Sequence, residues 1–350
     1  MASGRSRRSS GRRSGSGGAI LVLLAFALAA AAVYALLPLR PAEPAFVDIA
    51  PGSTALSIAT QLEQAGVIRS RWAFVAARLV KRLVRNDRLK AGEYRFERSA
   101  TVTQVYDRIA RGDVFTIAVT LPEGLDRREI AARLEQAGLG TAQGFLDATV
   151  TEASRIRDLD PEAASLEGYL FPDTYRFSRH ASEAQMADAM VRRFREEARR
   201  LALTARVHEI VTLASIIEKE TAVAAERPLV ASVLVNRLAK GMPLMTDPAV
   251  IYGLREQGQW RGAIYASDLS DPGHDTPYNT YRHAGLPPGP ISNPGAASLA
   301  AALHPAATDY LYFVASGDNP QGHSLFAATL ADHQKNVATY RKAIESRGAQ

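Results

Sequence analysis

The 350-residue chain contains no cysteine. That excludes disulfides and thiolate catalysis, and says nothing further about compartment. Its seven histidines are scattered, with no HExxH and no close pair on one helix face, so no metal is expected. There is no Walker A sequence, no GxGxxG following a predicted strand and no GxSxG. The usual nucleotide-binding loops and the serine-hydrolase elbow are therefore missing, and no cofactor is expected. A general basic excess is missing too. The formal charge is +6, but Arg5, Arg7, Arg8, Arg12 and Arg13 lie in the first 18 residues with no acid among them. Without that arm the balance falls to +1, which leaves no nucleic-acid footprint on the rest. Apolar content of 47% permits a sizeable core, and the length suits two or three domains.

Residues 1–18 are mostly Arg, Ser and Gly, a composition that predicts disorder. Ala19 to Leu37 is an apolar run without a charge, closed by Pro38 and Arg40. It has the length of a bilayer span, and the basic arm before it places the N-terminus in the cytoplasm. A cleaved signal peptide is the rival reading, but the run exceeds the usual h-region. After a short linker, strands are predicted at 46–49, 89–96 and 114–121, with helices from Ser53 or Thr54 to Gln64, over 72–84, and from Thr101 to Ala110. Ile58–Gly66 is nearly repeated by Ile130–Gly138, each copy following a strand and a Pro-containing turn. Two copies suggest a reused module or two helices with similar caps. Helices are predicted over 144–157 and 182–203. The aromatic stretch Glu167–Phe177 reads either as a packed connection or as a sugar-stacking loop. The Arg-rich 182–203 helix alternates its charges, as a solvated face does. Residues 255–295 are dense in turn formers, a length that marks a functional loop. Residues 310–315 form a predicted buried strand, and 329–345 a closing helix.

The informative stretch is Val211–Thr221. It lacks Gly and Pro, and Ile210, Leu213, Ala214 and Ile217 gather on one helical face. Glu220 falls near that stripe. Glu218 points away by about 100°, and so does Ser215. A carboxyl in apolar surroundings holds its proton towards neutral pH, as a general acid for glycosidic cleavage must. The alternative is an edge residue paired with Lys or Arg. A two-carboxylate hydrolase would need a partner, for which Asp247 and Asp173 are the candidates.

Several ordered motifs accompany this helix: Leu213–Thr221, Val233–Leu238, Thr246-Asp-Pro248, Tyr278–Tyr281, Gly285–Gly289, Asn293-Pro-Gly295, His304-Pro-Ala306, Tyr310–Val314 and Glu167–Tyr175. Through them the chain resembles the YceG-like family, the endolytic murein transglycosylases. The resemblance implies an α+β chain with an N-terminal transmembrane helix, a small LysM-like α+β subdomain and a mixed α/β C-terminal catalytic domain. The boundaries expected are 1–18 for the cytoplasmic arm, 19–38 for the membrane helix, 39–45 for the linker, 46–120 for the LysM-like subdomain, 121–205 for a connecting region and 206–350 for the catalytic domain. It implies an inner-membrane protein with its C-terminal domain in the periplasm. Its partners would be peptidoglycan glycan strands and cell-wall synthesis enzymes, not nucleic acid.

The resemblance implies cleavage between MurNAc and GlcNAc, leaving 1,6-anhydroMurNAc ends. Glu220, the second acid of Glu-Lys-Glu, would be catalytic, and Asp247, Asn279, Tyr281, Thr221 and Asn293 would bind substrate. The substrate's own C6 hydroxyl serves as nucleophile, which explains why a single acid suffices. Two departures stand out: Met245 replaces the family's usual Gln, and Gly322–Phe326 carries one residue more than expected between His323 and Phe326. The rival readings are a membrane-anchored, non-catalytic peptidoglycan-binding scaffold and an ordinary two-carboxylate glycoside hydrolase.

Overall fold

The computed structural model describes residues 16–84, 87–316 and 322–348. Most of the basic arm expected over 1–18 therefore lies outside the described residues. The chain divides into two compact units, Met1–Thr116 and Ile117–Gln350. The class is α+β. Among the described residues the strands form three separate two-stranded ladders, each antiparallel. The mixed α/β character expected of the C-terminal domain is thus replaced by helices carrying small antiparallel ladders.

In the first unit, α1 (Ser16–Leu36) precedes β1 (Ala45–Ile49), α2 (Ala55–Gln64), α3 (Arg71–Val84), β2 (Gly92–Phe96) and α4 (Val102–Arg111). Among the described residues no helix is long and apolar enough to cross a membrane. The side chains of α1 are described only from residue 21, so the expected span 19–38 lies partly outside the described residues. From Leu21 to Leu36 its large apolar side chains are exposed. The expected linker is partly fixed: Leu39 exchanges two backbone bonds with Ala100, of 3.0 and 3.1 Å.

β1 pairs with β2 around the α2–α3 hairpin, with Val47 opposite Tyr94. Alternate residues Val47 and Ile49 point inward and meet Leu62, Phe74, Tyr94, Phe96 and Tyr106 in one core. The caps follow the sequence chemistry. Thr54 accepts from Ser57 N, and Thr101 forms a reciprocal capping box with Gln104. Such a cap is worth about 1 kcal/mol.

The second unit contains β3 (Ile117–Leu121), α5 (Arg127–Gln136), α6 (Ala142–Thr151), β4 (Asp173–Phe177) and α7 (Glu183–Arg200). Then follow α8 (Val207–Glu220), α9 (Arg227–Ala239), α10 (Asp247–Glu256), α11 (Ala266–Ser270), α12 (Ala296–Leu303), β5 (Tyr312–Ala315), β6 (Ser324–Ala327) and α13 (Leu330–Gly348). The boundary expected at residue 120 assigns β3 to the preceding subdomain. The structure instead pairs β3 with β4, Val119 opposite Tyr175, and so places it in the second unit. The repeat Ile58–Gly66 and Ile130–Gly138 corresponds to α2 and α5, each closed by a glycine of positive φ, +67° at Gly66 and +75° at Gly138.

The second unit's core is built around α8, which packs against α9, α10 and α12. Its whole run Val211–Ile217 is buried, not only the stripe read from spacing, because neighbouring helices cover it on several sides. The stretch 167–177 is a packed connection. Tyr169 is 1% exposed and meets Phe194 edge-on at 5.0 Å, while residues 173–177 form β4. Tyr169, Phe171 and Phe177 are buried in the core, and the partly buried Tyr175 stacks on Phe177 with ring centroids 5.7 Å apart.

Candidate active site

Three consecutive side chains at the end of α8 have different tasks. Glu218 accepts from Arg227 Nη2 at 2.8 Å and from Gly295 N at 2.9 Å, with its side chain 5% exposed. It is a structural acid tying α8 to α9 and to the start of α12, not a solvated one. Lys219 donates to the Gly124 carbonyl at 3.1 Å. Glu220, one turn on from Ile216 and Ile217, is partly buried. Among the described residues no hydrogen bond or ion pair engages its carboxyl group. Burial first, and then the Asp247 carboxylate, raise its pKa to about 7, against the opposing charge of Arg237.

Asp247 is brought to this place by a short zipper. Met245 N donates to Thr280 O at 3.1 Å, and Thr246 N donates to Thr280 Oγ1 at 2.9 Å. The segment 245–247 therefore runs beside 280–281, and Tyr281 Oη donates to Asp247 Oδ1 at 2.6 Å. That bond, with burial ahead of it, holds the Tyr281 hydroxyl in its neutral form well above the usual range. Met245 adopts φ +53°, a costly conformation for a side chain of this size, and its side chain is exposed. Strain of this kind collects at functional sites, and here it turns the chain from Leu244, which is buried, to Asp247, which is exposed.

Arg237 lies in the motif Val233–Leu238, whose spacing alone points to no role for it. The structure makes it the cation of the site. From the last turn of α9 its Nε donates to Leu311 O at 2.7 Å and its Nη1 to Leu244 O at 2.8 Å, and its guanidinium lies 5.3 Å from the Tyr312 ring. Burial lowers its pKa, and the charges of Tyr312 and Glu220 act in the other direction. One rigid fork thus joins the loop before Asp247 to β5 and faces Glu220. Its position near the C-terminus of a helix, followed by a Gly stop, was the available signal.

Of the expected binding residues, Asp247 and Tyr281 share the neighbourhood of Glu220. Thr221 follows it directly; it is 6% exposed, and its hydroxyl accepts from Val223 N at 3.1 Å. The two asparagines do not fit the expectation of sugar binding. Asn279 is 0% exposed, its Nδ2 donates to the Asp268 and Leu269 carbonyls, and its Oδ1 accepts from Tyr281 N. Asn293 is 1% exposed; its Nδ2 binds Glu167 Oε1 at 2.8 Å and Leu125 O, and its Oδ1 accepts from Leu170 N. Both amides are consumed inside the protein. Asn279 shapes the loop that presents Tyr281, and Asn293 satisfies the buried Glu167.

Asp173, the other candidate partner acid, pairs with Arg193 Nε at 2.9 Å on β4. Glu226 Oε1 accepts from His323 Nδ1 at 2.9 Å and from Ser324 N at 2.9 Å. This contact fixes the start of β6 and gives His323 a structural task. Among the described residues no group of three or more metal-ligating side chains converges.

What the arrangement supplies chemically is one carboxyl that holds a proton near neutrality, one carboxylate clamped by a phenol, and one immobilised cation. The chain matches the YceG-like family over residues 47–339. An endolytic murein transglycosylase of Bacillus subtilis (strain 168) is 32% identical over 317 residues, covering 84% of each chain. Endolytic murein transglycosylases of two Streptococcus pneumoniae strains, D39 and R6, are each 29% identical over 326 residues, which is 84% of this chain and 58% of theirs. The crystal structure of a yceG-like protein from Listeria monocytogenes aligns with a TM-score of 0.52 at 34% identity, covering 84% of this chain and 98% of that one.

Proposed function

Since the chain belongs to the YceG-like family, we propose that it is a lytic transglycosylase that cuts peptidoglycan glycan strands internally. The observation that carries this reading is Glu220: partly buried, without a hydrogen bond or ion pair among the described residues, and with its pKa raised to about 7. Protonated Glu220 donates to the glycosidic oxygen leaving C1 of MurNAc. The C1–O bond breaks and the GlcNAc 4-hydroxyl departs. The Glu220 carboxylate then takes the proton from the MurNAc C6 hydroxyl as that oxygen bonds to C1. Glu220 ends protonated, so one residue serves as acid and then as base. Arg237 steadies the carboxylate while it is charged. Asp247, held by Tyr281, sits where it stabilises positive character developing at C1. Exposed Met245 offers an apolar edge where the family's usual residue offers an amide.

Two placements belong to the same proposal. The apolar run 19–38, preceded by the basic arm, anchors the chain in the inner membrane with the rest in the periplasm. The β1–α2–α3–β2 arrangement supports a LysM-like reading of the first unit.

Digestion of purified glycan strands tests the chemistry. Anhydro ends are expected from the wild type, none from Glu220→Gln, and wild-type yield from Glu209→Gln, an exposed acid near the start of the same helix. Reducing ends would instead assign hydrolysis with Asp247 as second carboxylate, and absence of cleavage a binding scaffold. Glu218 is unsuited as a control because its removal takes the nearer carboxylate from Arg227, leaving only Glu123 at 3.3 Å. The anchor is tested by alkaline carbonate extraction of membranes: release into the supernatant would overturn it.

A further inference from the structure

Helix α3 is amphipathic in the wrong sense for a surface helix. At about 100° per residue, Leu79, Trp72, Leu83, Ala76, Val80 and Val84 fall within one arc of about 140°, which they share with the partly buried Ala73. Those six are exposed: Trp72 62%, Leu79 66% and Leu83 83% among them. The opposite side carries Phe74, fully buried in the first unit's core, and Lys81, bonded to Asp107 at 2.8 Å. The apolar side thus faces outward. An apolar face of this size on a folded unit marks a binding surface.

The charges beside the face identify what it meets. Arg71, Arg78 and Arg82 lie within about 40° of one another along one flank of the arc. Arg71 pairs with Glu63, at 3.8 Å. Among the described residues Arg78 and Arg82 have no carboxylate partner. Apolar face plus basic flank is the pattern of a helix lying in the headgroup layer of an anionic bilayer. An antiparallel two-fold pairing of α3 with a second copy would set these arginine rows against one another. The neighbouring structure is consistent with lipid. Arg69, two residues before α3, donates to Tyr34 Oη at 2.8 Å and lies 4.5 Å over the Tyr34 ring, near the end of the exposed apolar helix α1. The end of α1 is therefore tied to the segment just before α3.

We propose that the exposed face of α3 docks into an anionic lipid surface, with Trp72, Leu79 and Leu83 entering the headgroup–acyl boundary and Arg78 and Arg82 contacting phosphates. This holds α1 and the first unit to the same bilayer, and is independent of the chemistry at Glu220.

The chain has two tryptophans, so Trp260→Phe leaves Trp72 as the single reporter. Full-length protein is reconstituted in phosphatidylglycerol vesicles with and without brominated acyl chains. Expected are blue-shifted Trp72 emission and at least about twofold quenching by the brominated lipid. Water-like emission without quenching would overturn the proposal. So would protection from acrylamide without bromolipid quenching, which would assign the face to a second copy. Leu79→Asp with Leu83→Asp changes only exposed positions and should abolish the quenching at unchanged circular dichroism; quenching that survives refutes docking by this face. Arg78→Gln with Arg82→Gln should lower the docked-to-free ratio about thirtyfold in phosphatidylglycerol and leave it unchanged in phosphatidylcholine. An equal effect in both lipids refutes the role given to the arginines.

Discussion

Replacing Glu220 by glutamine should abolish activity and raise stability, the second effect appearing only as pH rises. A raised pKa means that the folded chain holds the proton more tightly than the unfolded one does. The stability this supplies is fully present below the unfolded value of about 4.5 and is lost as pH rises through about 7. At 1.36 kcal/mol per pKa unit, the full penalty on the ionised form is about 3 kcal/mol. The side chain is only partly buried, so solvent screening trims this to about 1–3 kcal/mol. Glutamine keeps the shape and cannot ionise, so it escapes the penalty. Denaturant unfolding of wild type and Glu220→Gln at pH 5 and pH 8.5 reads the difference directly. At pH 5 the two should lie within about 1 kcal/mol, and at pH 8.5 the variant should lead by most of the penalty. The same group predicts that release of anhydro products falls as pH rises through about 7. A stability gap that is flat from pH 5 to 8.5 would mean that Glu220 titrates as an ordinary carboxyl, and the acid role argued for it would go.

Arg237→Gln removes a fork that donates to the Leu311, Pro243 and Leu244 carbonyls, and should cost about 2–4 kcal/mol in denaturant unfolding. It also removes the cation that lowers the Glu220 pKa, so the falling limb of the pH–rate profile should move to higher pH. Gly168 has φ +87°, and a methyl group there would lie 2.6 Å from Pro290 Cγ and 2.8 Å from Val211 Cγ1, whereas Gly138 at φ +75° has open space. Gly168→Ala should therefore lower the melting temperature clearly more than Gly138→Ala, which carries backbone strain alone. His208 bonds buried Asp160 through Nδ1 at 2.8 Å and Pro288 O through Nε2 at 3.0 Å. Burial pulls its pKa down, but the bond and charge of Asp160 outweigh that and raise it above the ordinary value. The destabilisation caused by His208→Gln should thus be greatest below about pH 6 and shrink as pH rises through the folded pKa, as thermal unfolding across that range will read.

Local signals made much of this legible. Helix starts were written in Thr54, Thr101 and Ser182, each of which accepts from the backbone as its residue type predicts. Helical geometry set Glu220 apart from Glu218, and the structure pairs Glu218 with Arg227 while burial raises the pKa of Glu220. What failed depended on which partner a polar side chain meets in three dimensions. Asn279 and Asn293 sit in motifs rich in loop residues, and nothing in their spacing reveals that each amide is used on buried backbone groups. The aromatic run 167–177 left a packed connection and a sugar platform both open, because periodicity cannot separate a packed loop followed by a strand from an open one. Arg237 was visible as a helix-end cation, but its facing of Glu220 is set by the fold of residues 243–246 and β5, far away in sequence. The outward apolar face of α3 has ordinary amphipathic spacing. Only the packing of Phe74 tells which side is inside.

Cutting the chain at residue 120 to obtain the catalytic region alone would take nearly all of a strand from it. β4 would lose its one ladder partner, exposing unpaired N–H and C=O groups along residues 173–177 and uncovering Leu121's neighbours in the core. An open edge of that kind recruits other chains. A recombinant fragment beginning before Ile117 keeps the ladder whole. A protease nick between Ile117 and Asp126 would be expected to yield material that aggregates instead of a tidy soluble piece.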